Sequence, residues 1–511
     1  MRFGRLTRSW WVALFAAVLA VYFVLAWWTA AAEYIWSNEA WFTSPAFTLI
    51  HHGYLGTTIL ASKGTWLEGI DRHTYWIPPL YLLLEAFWCR LFGFGLLAVR
   101  SLSMVAGAVV LLAWYWIVSS FSARRGIALL AIAIAATDQR FLTFAAVGRP
   151  DMVCAALGAM GWAVYLLLRE RSLPRALLAG NTLTAAACLT HPCGELYAAG
   201  LLLLVLYYDR RGIGWRNLAL LCVPYIVALS AWGIYILQAP AQFVRQLSGN
   251  IGGFGTEFTG VNRLAGLTSP LAALKREYFL RYGHLFGWHA STVAERIPLF
   301  ALLIYTLGVA GCLLTPSIRN HRGNRALLLV GTLTYVTMAI LDGFKSSGYV
   351  VHTMPLAAAL LAICAHHLFF RTRHARWAVV AAMILFAAVQ SAAIGRSLTV
   401  TPQRWAYQNA LAFLRHAAAP PDIIAAGEFA FALGFDSGMV DDLRLGYYSG
   451  RRPPFIVAND IYLGWLVHAA ELEPPVHQYM VQLLRDEYRV AFRNSAYTVY
   501  ERVSVGSGAR P

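Results

Sequence analysis

The stretch Arg8–Trp41, RSWWVALFAAVLAVYFVLAWWTAAAEYIWSNEAW, decides the fold. Its apolar run from Trp10 to Ala32 follows Arg2, Arg5 and Arg8 and exceeds the roughly 7–15 residue core of a cleaved signal peptide, so it predicts a retained transmembrane helix. Trp10-Trp11 and Trp27-Trp28 bracket the run. At about 1.5 Å per residue the two pairs stand on the order of 26 Å apart, near the thickness of a hydrocarbon core, as expected of tryptophans at two interfaces. Directly beyond comes Trp36-Ser37-Asn38-Glu39-Ala40, which fixes a carboxylate at the membrane boundary beside apolar walls. Such a place can raise a carboxyl pKa towards general-base duty, and a solvated interfacial glutamate is the plainer alternative.

The rest of the chain extends this pattern. Of 511 residues, 59% are hydrophobic and only 13% charged, with mean hydropathy +0.55, which excludes a soluble enzyme. Seven cysteines lie in or beside apolar runs, so neither a secreted disulfide framework nor a CxxC metal knuckle is implied. A net charge of +16 would suggest nucleic acid in a soluble protein. Here the arginines sit in short clusters between apolar segments, which is an orientation signal, and no nucleic-acid partner is expected.

Further spans begin near Leu97, Ile127, Met152, Ala176, Leu196, Leu218, Pro298, Ala326, Val350 and Trp377, about eleven helices in all. Basic clusters fall at every second loop: Arg124-Arg125; Arg169, Arg171 and Arg175; Arg210, Arg211 and Arg216; Arg319, Arg322 and Arg325; Arg371, Arg373 and Arg376. The positive-inside rule puts these loops and the N-terminus in the cytoplasm. Pro78–Phe92 is apolar enough to be a span, but counting it would invert every later loop, so it is read as a helix lying at the outer interface. The expected fold is an α-helical polytopic membrane protein, residues 1–395, with a first outer loop at 33–95 and a lid-like outer loop at 238–297. A small extracytoplasmic α/β domain at 396–511 completes it. In that domain Gln403–His416 and Val476–Glu487 read as helices, Ile423–Ala426 and Phe455–Ala458 as strands, and Arg489–Val503 as a hairpin turned at Asn494-Ser495.

Polar chemistry gathers on the outer face. Asp138, Arg140, Arg149 and Asp151 stand where two helices meet, and charges this close to hydrocarbon need a partner or a ligand. A braced Arg149–Asp151 pair is one reading. A phosphate site is the other, since guanidinium binds phosphate bidentately and a neighbouring carboxylate can receive a hydroxyl proton. Thr190–Glu195 and Lys345–His352 approach the same face, and read alone His191 and His352 are structural histidines and Lys345 a snorkelling side chain. The glycine-rich Gly249–Thr256 lacks the spacing of a phosphate loop and reads as lid or channel wall. No HExxH, nucleophile elbow or metal-spaced His/Cys set is found, and no metal site is expected.

In order and spacing, Asn38-Glu39, Gly53-Tyr54-Leu55-Gly56, Tyr75-Trp76-Ile77-Pro78-Pro79-Leu80-Tyr81, Leu91-Phe92-Gly93, Val99-Arg100-Ser101, Arg149-Pro150-Asp151 and His191-Pro192 resemble the GT-C membrane glycosyltransferases. The likeness is to the bacterial family 39 enzymes related to protein O-mannosyltransferases and to the aminoarabinose transferase of lipid A. It covers residues 10–215 well and the remainder only in layout. The resemblance implies inverting transfer of one sugar from a polyprenyl-phosphate donor to an acceptor hydroxyl of a lipid, glycan or protein, on the outer face of a bacterial inner membrane, with no cofactor. Family members commonly carry Asp-Glu where this chain has Asn38-Glu39, so the base role passes to Glu39 with Asp151 as the fallback. Many carry Lys before the Pro-Pro pair where this chain has Ile77, which leaves Arg149, Arg140, Lys345 and Arg100, with Asp138 and His191, as the substrate-binding candidates. A transporter and a catalytically inactive relative that binds lipid-linked sugar are the competing readings, the first disfavoured because the charges gather at one face.

Overall fold

The computed structural model describes residues 8–253, 264–399, 401–417 and 422–503. Arg2, Arg5 and Phe254-Gly255-Thr256, used in the sequence reading, lie outside the described residues. The first segment forms α1 (Arg8–Ala32), α2 (Ser37–His52), α3 (Leu80–Phe92), α4 (Leu96–Ser122), α5 (Arg125–Ala136), α6 (Gln139–Ala145), α7 (Pro150–Leu168), α8 (Leu173–Cys188), α9 (Gly194–Asp209) and α10 (Trp215–Ile236). Long helices follow at Leu299–Leu314, Arg322–Leu341, Met354–Phe369 and Arg373–Ser397. Every expected span except the one begun near Ile127 is therefore a single helix. Seven helical segments of the described residues are individually long and apolar enough to cross a membrane, while α8, α9 and Met354–Phe369 have only 16 residues each. The protein is a polytopic helical membrane protein.

One expected span differs. The run begun near Ile127 is broken into α5 and α6, which meet at 68°. The break falls at Asp138, whose carboxylate accepts from the backbone N–H groups of Arg140 (2.9 Å) and Phe141 (3.0 Å) and so starts a new helix. Close packing elsewhere rests on small residues: a Cβ on Gly161 of α7 would stand 2.9 Å from the Gly180 carbonyl oxygen of α8, and one on Gly158 would enter the Tyr197 ring.

The C-terminal region carries a four-stranded sheet, β1 (Ile424–Ala425), β2 (Phe455–Asn459), β3 (Tyr488–Arg493) and β4 (Tyr497–Arg502), in the order β1-β2-β4-β3 with only β1–β2 parallel. Period-two alternation sends Ala425, Val457 and Val499 to one buried face, against Leu411 and Leu414 of the Pro402–His416 helix, and Ile424, Ile456 and Ala458 to the other. The second face is covered by Pro474–Asp486 and by a helix absent from the sequence reading, Asp460–Leu472. This domain rests on α2: Ser37 donates to Glu428 at 2.5 Å, and Trp41 Nε1 donates to Asp441 at 2.9 Å.

Candidate functional site

Glu39 sits in the first turn of α2, fully buried. Its Oε1 accepts from Arg100 Nε (2.8 Å) and the Gly148 N–H (2.8 Å), its Oε2 from Arg100 Nη2 (2.6 Å) and the Trp36 N–H (3.0 Å). A carboxylate offers about four lone-pair sites, and all are taken. The remaining Arg100 donors go to the carbonyls of Ala30 (2.7 Å), Glu33 (3.1 Å) and Tyr34 (2.6 Å). The pair thus joins the end of α1, the start of α2, the α4 helix and the turn entering α7. Neither residue has a free group for substrate: Glu39 is a keystone where the sequence reading expected a base, and Arg100 holds it where a phosphate contact was expected.

Asp151 is placed differently. It follows Pro150 at the start of α7, 3% exposed. Its Oδ2 accepts from Arg149 Nε at 2.8 Å, while Oδ1 is buried with no hydrogen-bond partner among the described residues. His191 Nε2 stands 3.9 Å from that free oxygen. Around the pair gather Tyr349, whose ring lies edge-on to His191 with centroids 5.1 Å apart, His352, and Trp36, over which the Arg149 guanidinium sits at 5.9 Å. Arg149 makes no hydrogen bond through its two terminal amino groups to the described residues, so these donors remain for an anion. Tyr197 and His352 Nδ1 are 3.1 Å apart, and burial pushes the His352 imidazole down to about 3, so it is neutral throughout the working range.

The other expected contacts are divided. Lys345 is bound to Glu277 (3.1 Å) and the Ala339 carbonyl (2.5 Å), and Glu277 also holds Arg281 (2.6 Å), which reaches Asp342 (2.8 Å). This four-charge cluster is internally neutral and ties the loop after α10 to the one preceding Met354–Phe369. Asp138 Oδ2 receives Tyr305 (3.0 Å) and Gln390 (2.7 Å) while Oδ1 caps α6, so both of its oxygens are engaged in bracing helices. Arg140 has no ion-pair partner among the described residues. It lies 5.9 Å above the Phe286 ring and, with His284, His289 and Arg396, lines an open polar cavity of about 450 Å³.

An apolar cavity of about 420 Å³ lies among the later helices. Tyr282, Phe286, Tyr305, Gly331, Thr353 and Ala357 are among its walls; Thr353 directly follows His352, and Phe286 is the ring that lies 5.9 Å from the Arg140 guanidinium. In the described part of the loop at 238–297, Asn250 donates to the Trp76 carbonyl (2.7 Å), and the buried Gln246 bridges the Tyr75 N–H (2.7 Å) and the His73 carbonyl (2.9 Å). The described part of the loop is latched onto the first one.

Sequence reasoning missed Glu85. The Thr43 hydroxyl is 2.8 Å from the Glu39 carbonyl and 2.7 Å from Glu85 Oε1, yet it has one proton. If it serves the helix carbonyl, Glu85 must be the donor, hence protonated. Burial acts the same way and pushes the Glu85 carboxyl up to about 8. A carboxyl raised above its unfolded value contributes stability that is complete below about pH 4.5 and has been lost above about pH 8. The unfolding midpoint is therefore expected to fall between pH 5 and pH 8.5, and Glu85→Gln, which keeps a donor to Thr43, should flatten that slope. An unchanged slope in the variant would show Glu85 to be ionised. Nearby, burial holds the Tyr81 phenol well above its ordinary range.

No protein-family model matches this chain, and no curated protein sequence matches it. Among solved structures it is similar to ArnT from Cupriavidus metallidurans bound to undecaprenyl phosphate, with TM-score 0.55 and 17% identity over 99% of this chain and 100% of that one. It is also similar to the oligosaccharyltransferase of Archaeoglobus fulgidus in the apo form, with TM-score 0.57 and 12% identity over 98% of this chain and 75% of that one. The same archaeal enzyme, AglB, in complex with an inhibitory peptide and a dolichol-phosphate gives TM-score 0.55 and 11% identity over 97% and 74%. The chain has the GT-C fold.

Proposed function

We propose that this protein is an integral-membrane glycosyltransferase that moves one sugar from a polyprenyl-phosphate donor to an acceptor hydroxyl, with inversion, at the membrane face carrying Asp151. The observation that carries the reading is the buried, hydrogen-bond-free Asp151 Oδ1 beside Arg149, in a fold that also holds an apolar cavity whose wall residue Thr353 directly follows His352; together they suit a lipid whose charged end reacts and whose tail is hydrocarbon. Solved structures of the same fold bind undecaprenyl phosphate and dolichol-phosphate, which supports it. The arginine pattern puts this face outside the cytoplasm.

The acceptor oxygen attacks the anomeric carbon as the bond from that carbon to the phosphate oxygen breaks, its electron pair leaving with the lipid phosphate. Asp151 Oδ1, the free oxygen, takes the acceptor proton. The terminal amino groups of Arg149 offset the charge that grows on the leaving phosphate. Glu39 and Arg100 hold α2 and the Gly148–Asp151 turn in register and touch no substrate. Asn38, where family members carry Asp, favours the second reading of a non-catalytic binder of lipid-linked sugar.

Native mass spectrometry of protein released in mild detergent is expected to show a bound isoprenoid phosphate or its glycoside, most of it lost in Ala357→Trp, which fills the cavity. Bulk phospholipid alone, or occupancy unmoved by that variant, would speak against the cavity as the donor site.

A further inference from the structure

His191 and Cys193 lie in the turn between α8 and α9, and His352 in the turn before Met354–Phe369. Each offers one ligand atom, and these three atoms lie within 4.8 Å of one another. Two imidazoles and a thiol form a donor set that borderline-soft divalent ions such as Zn²⁺ prefer, whereas Mg²⁺ and Ca²⁺ take oxygen. The local spacing is too short to resemble a metal motif, and the third member comes from far along the chain, so only the fold reveals the set.

A second observation points the same way. His352 is 4% exposed, and its Nε2 is buried without a hydrogen-bond partner among the described residues. The surrounding groups orient both rings. Tyr197 stands 3.1 Å from His352 Nδ1, and when Nδ1–H donates to that hydroxyl the lone pair is left on Nε2. The Nδ1 edge of His191 faces Cys193, 3.1 Å from its amide nitrogen, while Nε2 points at Asp151 Oδ1, 3.9 Å away and itself unpartnered. Coordination through Nδ1 exchanges the backbone hydrogen bond for a metal bond and directs Nε2–H to the carboxylate, the usual support of a metal-bound histidine. The nearby Arg149 charge is matched by Asp151.

We infer that His191, Cys193 and His352 form a binding site for a thiophilic divalent cation of the Zn²⁺ class, with a fourth position open and Asp151 as the outer partner of His191. The site adjoins the proposed transfer centre but does not depend on it, since metal content is measured without turnover.

Full-length protein in lipid nanodiscs, stripped by chelator and titrated with Co²⁺, is expected to bind one ion per chain and to develop a thiolate-to-cobalt charge-transfer absorption that Zn²⁺ abolishes. Cys193→Ser should remove the absorption, and His352→Ala should weaken Co²⁺ binding strongly. Tyr197→Phe, which removes only the outer hydroxyl, should weaken it by about tenfold or more. Cys188→Ser, a thiol outside the set, should leave both readouts as in the wild type. The inference is overturned if wild-type protein shows no charge-transfer absorption, or if the absorption survives Cys193→Ser in monodisperse protein.

Discussion

Asp151→Asn is expected to lower sugar transfer about a thousandfold, the middle of the range for loss of a positioned base. The reason is local. Of the carboxylates that sequence singled out at this face, Glu39 has every lone pair engaged and Asp138 is consumed by a helix cap and two side-chain donors. Asp151 keeps one buried oxygen free beside a guanidinium with unused donors. Asparagine retains an oxygen that can accept from Arg149, so the unfolding midpoint should move far less than turnover. Turnover within about threefold of wild type would remove Asp151 from the chemistry.

Glu39→Gln is expected to fail in the opposite manner, through the fold. The amide presents N–H groups to a pocket that already supplies four donors, leaving the buried Arg100 guanidinium without its anion. Breaking such a pair from one side costs about 3–5 kcal/mol. Thermal unfolding in detergent should drop by many degrees and the yield of monodisperse protein with it. Pairing the change with Arg100→Met should recover only part of the loss, because Arg100 also serves three carbonyls that methionine cannot reach. A Glu39→Gln protein with wild-type stability and no turnover would reverse the assignment and return the base role to Glu39.

These two residues show where sequence reading stops. The apolar runs were long and the arginine clusters regular, so the helices and their order could be read directly; hydrocarbon thickness and backbone hydrogen bonding leave few alternatives. The bend at Asp138 was not read, although an Asp followed by a polar pair inside an apolar run is a helix-start signal. Asn459-Asp460 was another: Asn459 Oδ1 accepts from the N–H groups of Ile461 and Tyr462 and opens the helix that the reading omitted. The site itself was legible as an inventory but not as a set of roles. Whether a carboxylate is a base or a keystone depends on partners such as Arg100, 61 positions from Glu39, and no periodicity carries that information. Lys345 is a similar case, its charge answered by Glu277, a residue that nothing in the sequence singled out.

The most direct test is the initial rate of label transfer by purified protein offered the same sugar on polyprenyl phosphate and on a nucleotide diphosphate. Product from the lipid-linked donor alone, lost in Asp151→Asn, is the predicted result. Transfer from the nucleotide donor with the lipid-linked donor inert would contradict it.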